Sequence, residues 1–382
     1  MEPVEMLLAN LETNIRASID AGLDSAQLLI AQSETILHHQ AYGNATCETM
    51  YDIASLTKIF ATTYLYQYYA QTAALDLNLT LAEIFPAQFA NDQFTDKAHI
   101  TLRMLLAHEA GFEPNPLFYD AHYNPALFCQ NRAEFLPKLL SAPLIHTPGT
   151  QSLYSDVDFM LLTFALEHLY GAPFDLLWQQ AFPMLKHERI TFTPLAHGYS
   201  HDDIAPTELH GNTRDHTIDF ANVRTHTVHG EVQDEKAFHC MAGISGHAGL
   251  FANCQALYQA LQLMTAPQPF FTPEIQQQFV HSQQHDPSFG LGWRLNQGGE
   301  MQYHFGQFAS ERAYGHTGWT GCVCVIDPRH DLTILYLTNR KHSKVLKPRD
   351  NPHRFLGDIL WAGQYRNIIN EIYTALGLTA CN

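Results

Sequence analysis

Three short stretches hold residues whose types and spacing could do chemistry. Ala54-Ser55-Leu56-Thr57-Lys58 puts a hydroxyl and an amine at i and i+3 where a helix is expected to begin. Those two positions share a helix face, so the amine can reach the hydroxyl. The helix N-terminus adds positive potential there. Crowding and partial desolvation favour a neutral lysine, which can take the serine proton and leave a nucleophile. Tyr154-Ser155-Asp156 follows the turn at His146-Thr147-Pro148-Gly149 and precedes a helix. Its phenol suits a second proton carrier, while Ser155 or Asp156 also suits an ordinary helix cap. Gly315-His316-Thr317-Gly318-Trp319-Thr320-Gly321 stands directly before an apolar strand. Glycines let a ligand approach a strand edge, and N–H groups on that edge can stabilise an oxyanion. Taken singly, each stretch has a plain alternative: chance spacing, a cap, a turn.

Elements of two kinds must hold these residues. Residues 4–22 read as an amphipathic helix ending near Gly22. Gln27–Ala31 and Thr35–His39 read as a β-hairpin turning at Gln32-Ser33-Glu34. Residues 55–70 read as a helix, with Ile59, Phe60, Leu65 and Tyr69 as its apolar side chains. From about 75 to 270 the pattern is mostly helix and loop. Asp156–Tyr170 is the clearest helix there, with acids in its first turn and Gly171 past its end. Residues 200–240 have no sustained period, which fits a lid or binding loop. Asn253 starts a helix to about Met264. Phe289–Leu295, Cys322–Asp327 and Leu332–Asn339 read as strands, the last two joined at Asp327-Pro328-Arg329-His330, and Arg366–Leu376 as a closing helix. Strands near both ends and helices between them predict an α+β fold. One antiparallel sheet domain is expected from residues 1–70 and 270–382. A mostly helical domain, with the long active-site loop, is expected from 71–269.

Composition narrows the function. The 382 residues are 46% hydrophobic and 15% charged, enough to bury a large core and unlike a disordered chain. There are 21 Lys+Arg against 38 Asp+Glu, a net charge of −17, which argues against a nucleic-acid partner. No stretch approaches the roughly 20 apolar residues of a membrane helix. The opening MEPVEMLLANLE has Glu2 and Glu5 where a secretory signal needs basic residues. A cytoplasmic chain is therefore expected, or a periplasmic one if a signal was removed. The 7 cysteines are odd in number and contain no CxxC, so packed free thiols are expected rather than a disulfide framework. Cys322 and Cys324 should share one strand face, a geometry poor for a disulfide.

In this order, Ser-x-x-Lys, then Tyr-Ser-x, then a basic residue followed by Thr-Gly resembles the signature of penicillin-recognising serine hydrolases. Tyr51–Thr62 (YDIASLTKIFAT), Tyr154–Leu162 (YSDVDFMLL) and Glu208–Asp215 (ELHGNTRD) look like the penicillin-binding protein 4B branch of that family. So do Gly230–Phe238 (GEVQDEKAF), Gly243–Phe251 (GISGHAGLF) and Gly315–Asp327 (GHTGWTGCVCVID). That branch is related to class C β-lactamases and family VIII esterases, and the likeness runs from about residue 24 to 376. It implies a β-lactamase/transpeptidase-like fold and acyl transfer through a serine acyl-enzyme. The activity it implies is D-Ala-D-Ala carboxypeptidase or esterase, with weak β-lactam turnover. Ser55 would be the nucleophile, Lys58 its base, and Tyr154 the relay to the leaving group. Asp156, His316, Thr317, Gly318 and Trp319 would bind substrate, with the N–H groups of Ser55 and Trp319 as the oxyanion hole. The substrate would be a D-Ala-D-Ala peptide, an ester or a β-lactam, with no cofactor.

Three departures bear on chemistry. His316 stands where many relatives have lysine. It should hold a substrate carboxylate only while protonated, so that contact should weaken as pH rises through neutrality. Asp156 stands where many β-lactamases have Asn. It cannot donate a hydrogen bond and should add negative charge near an anionic substrate. Gln233 stands where relatives often have His. Two other readings compete. The 23 histidines, with His210, His216, His226 and His229 in the long loop, invite a metal, yet no HExxH or zinc-finger spacing is present. Gly243-x-x-Gly246-x-x-Gly249 resembles a phosphate loop but lacks GK[ST], so close packing near the site is expected. The alternative from another class is a non-catalytic module binding peptidoglycan fragments or a partner.

Overall fold

The computed structural model describes residues 8–379. Residues 4–7 of the expected first helix, and Cys381, lie outside the described residues. The helix that follows spans Ala9–Asp20. Strands β1 (Ser25–Gln32) and β2 (Thr35–Gly43) form the expected hairpin, longer at both ends.

Six strands make one antiparallel sheet in the order β2-β1-β9-β8-β7-β6. Its other members are β6 (Arg294–Leu295), β7 (Tyr314–Gly318), β8 (Cys322–Asp327) and β9 (Leu332–Thr338). β1 lies between β2 and β9, with Gln32 opposite Leu332. Side chains alternate between faces, and both faces are covered, which explains the unbroken apolar runs. Leu28 and Ile30, Val323 and Val325, and Ile334 and Tyr336 pack with Leu11, Ile15, Ile368 and Ile372 of the terminal helices Ala9–Asp20 and Tyr365–Ala375. Leu29, Cys322, Cys324, Leu335 and Leu337 face the helical body. Cys322 and Cys324 are free, buried thiols on that one face. The architecture is the β-lactamase/transpeptidase-like one: an antiparallel sheet, helices upon it, and a mostly helical insertion beside it.

The middle of the chain is less purely helical than its pattern. β3 (Tyr51–Asp52), β4 (Ile190–Phe192) and β5 (Leu250–Ala252) form a second sheet in the order β3-β5-β4. Each is only two or three residues long, too short to set a period. Phe289–Leu295 is not a continuous strand. Only Arg294–Leu295 pairs as one, because Gly292 takes φ +81° and bends the chain back so that Phe289 bridges Arg294. The expected helix over 55–70 is compound. A 3₁₀ turn at Ala54–Leu56 passes into a π-helical stretch at Lys58–Thr63 and then an α-helix at Tyr64–Thr72. Wider π turns recur where a helix must aim side chains at a site. No helix among the described residues is long and apolar enough to cross a membrane.

Candidate active site

The serine begins at a strained corner. Ala54 has φ +47°, a left-handed conformation that costs a non-glycine residue about 1–3 kcal/mol. Asp52 holds it there: one carboxylate oxygen accepts the Ala54 N–H at 2.8 Å and the other accepts the Gln233 N–H at 2.6 Å. The Asp52 carbonyl also accepts from Thr320 Oγ1 at 2.7 Å. One residue thus joins the serine corner, the long loop and the turn after β7. Burial pushes the Asp52 carboxyl up to about 6, against those backbone N–H groups.

From this corner Ser55, half-buried, meets Lys58, which is fully buried. Lys58 Nζ lies 3.0 Å from Ser55 Oγ, 2.8 Å from Asp156 Oδ1 and 3.2 Å from the His247 carbonyl. The Tyr154 hydroxyl interacts with both Lys58 and Ser55, and its ring centre is 4.8 Å from Nζ. Ser155 is the cap of helix Asp156–Tyr170, its Oγ accepting the Val157 N–H at 3.2 Å. Capping by Ser155 leaves the Asp156 carboxylate free to turn toward Lys58.

The expectation of a neutral lysine is overturned. Burial pulls the Lys58 amine down, but Asp156, Tyr154 and their hydrogen bonds outweigh it and hold the amine above its ordinary value. Burial raises the Tyr154 phenol despite Lys58, so it stays protonated. Asp156 is likewise corrected. Burial opposes its ionisation, yet Lys58 and Lys236 hold its carboxyl well below the usual range. Lys236 Nζ is 3.3 Å from Asp156 Oδ2, so the charge expected to face substrate is spent on two lysines.

The third stretch arrives on β7. β6 pairs only with Tyr314 and Gly315, so 316–318 leave an edge that no strand covers among the described residues. A side chain on Gly318 would come within 2.5 Å of the Ile53 carbonyl, so only glycine lets this edge close on the serine corner. Trp319, next in the chain, is 40% exposed, and Lys341 Nζ sits 3.7 Å from its ring centre. Thr317 is half-buried, and its carbonyl takes the His316 Nδ1 proton at 2.7 Å.

His316 cannot serve as the expected carboxylate cation. It is buried beside Tyr154, ring centres 5.8 Å apart, and burial followed by the Lys58 charge brings it down to about 3. The cation on this side is Arg294 on β6, 6% exposed, its guanidinium 6.0 Å from the Tyr154 ring centre. It is held loosely by Ser288 Oγ at 3.3 Å and Glu300 at 3.4 Å. Behind Tyr154 lies buried His108, its ring 4.6 Å from the phenol and 3.0 Å from Asp158. Burial, then the Asp156 charge, pushes the Asp158 carboxyl well above the usual carboxylate range.

Sequence reasoning missed Asp52, His108, Asp234, Lys236, His247 and Arg294. The segments Gly230–Phe238 and Gly243–Phe251 contained three of them. Asp156, Asp234 and His247 form the one cluster of three possible metal ligands among the described residues. The Lys236 ammonium, 3.3 Å and 3.2 Å from its two carboxylates, already supplies the positive charge there. Of the loop histidines, His210 and His216 lie ring to ring at 5.1 Å, while His226 sits on Glu231 at 2.8 Å and His229 on the Ile204 carbonyl at 2.7 Å. Gly246 packs against the site, its carbonyl accepting from Thr62 and its N–H donating to Thr163, both at 2.7 Å. Gln233 bonds Glu208 at 2.7 Å and is buried in the loop.

Comparison with known proteins fits this geometry. The family model described as Beta-lactamase matches residues 9–358. An Escherichia coli K12 protein named "Putative D-alanyl-D-alanine carboxypeptidase" is 37% identical over 95% of this chain and 89% of its own length. A Salmonella newport protein of the same name is 36% identical over 97% and 91%. Among solved structures, the fold resembles EstCE1, a hydrolase with promiscuous acyltransferase activity, with TM-score 0.70 and 18% identity over 97% and 99%. It also resembles a penicillin-binding protein homologue from Caulobacter crescentus, with TM-score 0.64 and 17% identity over 98% of each chain.

Proposed function

The chain belongs to the Beta-lactamase family of serine hydrolases, and on that premise we propose that it works through an acyl-enzyme on Ser55, as a D-Ala-D-Ala carboxypeptidase-like or esterase enzyme with weak β-lactam turnover. The observation that carries this reading is Lys58 Nζ at 3.0 Å from Ser55 Oγ, at a corner closed by the free edge of β7. Ser55 Oγ attacks the acyl carbon while a deprotonated Lys58 takes its proton. Because Asp156 keeps Lys58 charged, only a minor fraction is ready at neutral pH, and acylation rises with pH. Tyr154, a neutral phenol touching both residues, gives a proton to the departing amine or alcohol and is recharged from Lys58. N–H groups of Ser55 and Trp319 receive the developing oxyanion. Arg294, rather than His316, offers charge to a substrate carboxylate.

The test is intact-mass detection of an acyl adduct with benzylpenicillin and with p-nitrophenyl acetate, followed by mapping of the modified peptide. A Ser55 adduct with ester turnover, both lost in Ser55→Ala, is expected. Tight binding of peptidoglycan fragments without any adduct would refute the enzyme and leave the non-catalytic module.

A further inference from the structure

Lys236 takes no part in the steps above, yet it closes a circuit around them. It is 4% exposed, in the short helix Glu235–His239 inside the long loop. Its ammonium meets Asp156 Oδ2 at 3.3 Å, Asp234 Oδ2 at 3.2 Å and Asn115 Oδ1 at 2.5 Å. Asp234 Oδ1 meets His247 Nε2 at 2.9 Å, and His247 Nδ1 meets Ser245 Oγ at 2.7 Å. The circuit returns through the His247 carbonyl, which accepts from Lys58 at 3.2 Å. Two lysines and two carboxylates therefore form a chain that His247 closes into a ring, the lysines buried and the carboxylates partly exposed, and Asp156 is divided between the lysines by its two oxygens.

A buried ion pair is a poor source of stability beside apolar packing, so such a ring suggests a further role. We propose that Lys236 is a positioning residue that sets how readily Lys58 gives up its proton, by competing with it for the Asp156 carboxylate. This rests on the reading of Ser55 and Lys58 above. The other groups around Lys58 are Ser55, Tyr154, His108, Asp158 and His316. Those around Lys236 are Asp156, Asp234, Asn115, Tyr119 and Glu235. Lys236 is the cation that shares the Asp156 carboxylate with Lys58. Its positive charge opposes the ammonium form of Lys58, whereas Asp234 favours that form.

Two substitutions should therefore move the pH dependence in opposite directions. Lys236→Met leaves Asp156 to Lys58 alone and removes a neighbouring positive charge. The rising limb of acylation then moves to higher pH, and the rate at a fixed pH on that limb falls about tenfold or more. Asp234→Asn frees Lys236 to lean on Asp156 and removes a negative charge, so the limb moves to lower pH. Asn also preserves the helix cap, where Asp234 Oδ1 accepts the Ala237 N–H at 2.8 Å. Lys236→Arg keeps the charge and should restore the wild-type limb.

The measurement is the stopped-flow burst of p-nitrophenol from p-nitrophenyl acetate across pH, for wild type and each variant. Limbs displaced in opposite directions support the proposal. Unmoved limbs, with only lowered plateau rates, would show that Lys236 merely supports the fold and would overturn it. Limbs displaced in the same direction would also overturn it. If Lys236→Met does not fold, the direction for Asp234→Asn decides. A burst that survives in Ser55→Ala would instead refute the nucleophile assignment, a separate failure.

Discussion

Asp156→Asn should speed acylation at neutral pH while weakening the fold. Lys58 Nζ and Asp156 Oδ1 are 2.8 Å apart, the lysine fully buried and the aspartate side chain 16% exposed. At an effective dielectric constant of about 20, unit charges at that distance attract by about 6 kcal/mol. The amide oxygen of Asn still accepts one hydrogen bond from the ammonium, which recovers about 1.5–3 kcal/mol. About 3–4 kcal/mol of preference for charged Lys58 is then lost. At 1.36 kcal/mol per pH unit, the rising limb of acylation moves about two to three pH units toward acid. At a fixed pH on the wild-type limb the rate rises about 100-fold or more. Lys236 keeps Asp234 at 3.2 Å, so it is not stranded. The Asp156 carboxyl is depressed in the folded state, so its pairing stabilises the protein above its unfolded value and fades as pH falls through the folded one. The variant gives up that stabilisation at neutral pH, and its Tm falls as its rate rises. The assay is burst kinetics with both p-nitrophenyl acetate and nitrocefin. Similar gains for both follow if Asp156 acts through Lys58. A gain confined to anionic nitrocefin would mean that Asp156 acts by repelling substrate, and an unmoved limb would refute control of Lys58.

Three further outcomes are expected. KM for a D-Ala-D-Ala peptide should stay flat from about pH 5 to 8, because His316 at about 3 is neutral throughout; a rise through that range would restore histidine as the cation. Arg294→Gln should raise the peptide KM at least about tenfold and that of p-nitrophenyl acetate little, since a desolvated charged contact is worth about 2–5 kcal/mol; equal effects would remove Arg294 from recognition. Gly318→Ala sets a methyl group 2.5 Å from the Ile53 carbonyl and should cut kcat/KM at least about tenfold by forcing β7 from the serine corner, with stability lowered by about 1–3 kcal/mol; undiminished turnover would show that this edge need not close on Ser55.

Much of the fold was legible where a period or a cap was strong. Helix Asp156–Tyr170 begins and ends as its acids and Gly171 indicate. Asn253 caps Cys254–Thr265 through the Ala256 N–H at 2.8 Å. Both-face burial made β8 and β9 readable as apolar runs. The strands β3, β4 and β5 were not legible, because two or three residues fix no alternation. The hydroxyls, the phenol and the β7 glycines of the candidate site were legible because their spacing is local. Their charge states were not. Lys58 depends on Asp156, 98 positions away, and Asp156 on Lys236, 80 positions further on. His316 was read by its ordinary acidity, whereas its burial in the fold brings it down to about 3. Asp52 gave no signal of its own: an acid two residues before a turn is commonplace until its three partners are seen.

The central place of β1 has a consequence for biogenesis. Its partner β9 is synthesised some 300 residues later, as the pairing of Gln32 with Leu332 shows. At roughly 5–20 residues per second, the first hairpin waits about 15–60 s for its neighbour. Through that interval β1 presents apolar side chains on both faces and an open row of N–H and C=O groups, the features that invite pairing with another chain. Production in cells should therefore depend on a holdase that shields the early hairpin. Chains halted between β2 and β9 should accumulate as aggregates even where the finished protein is stable.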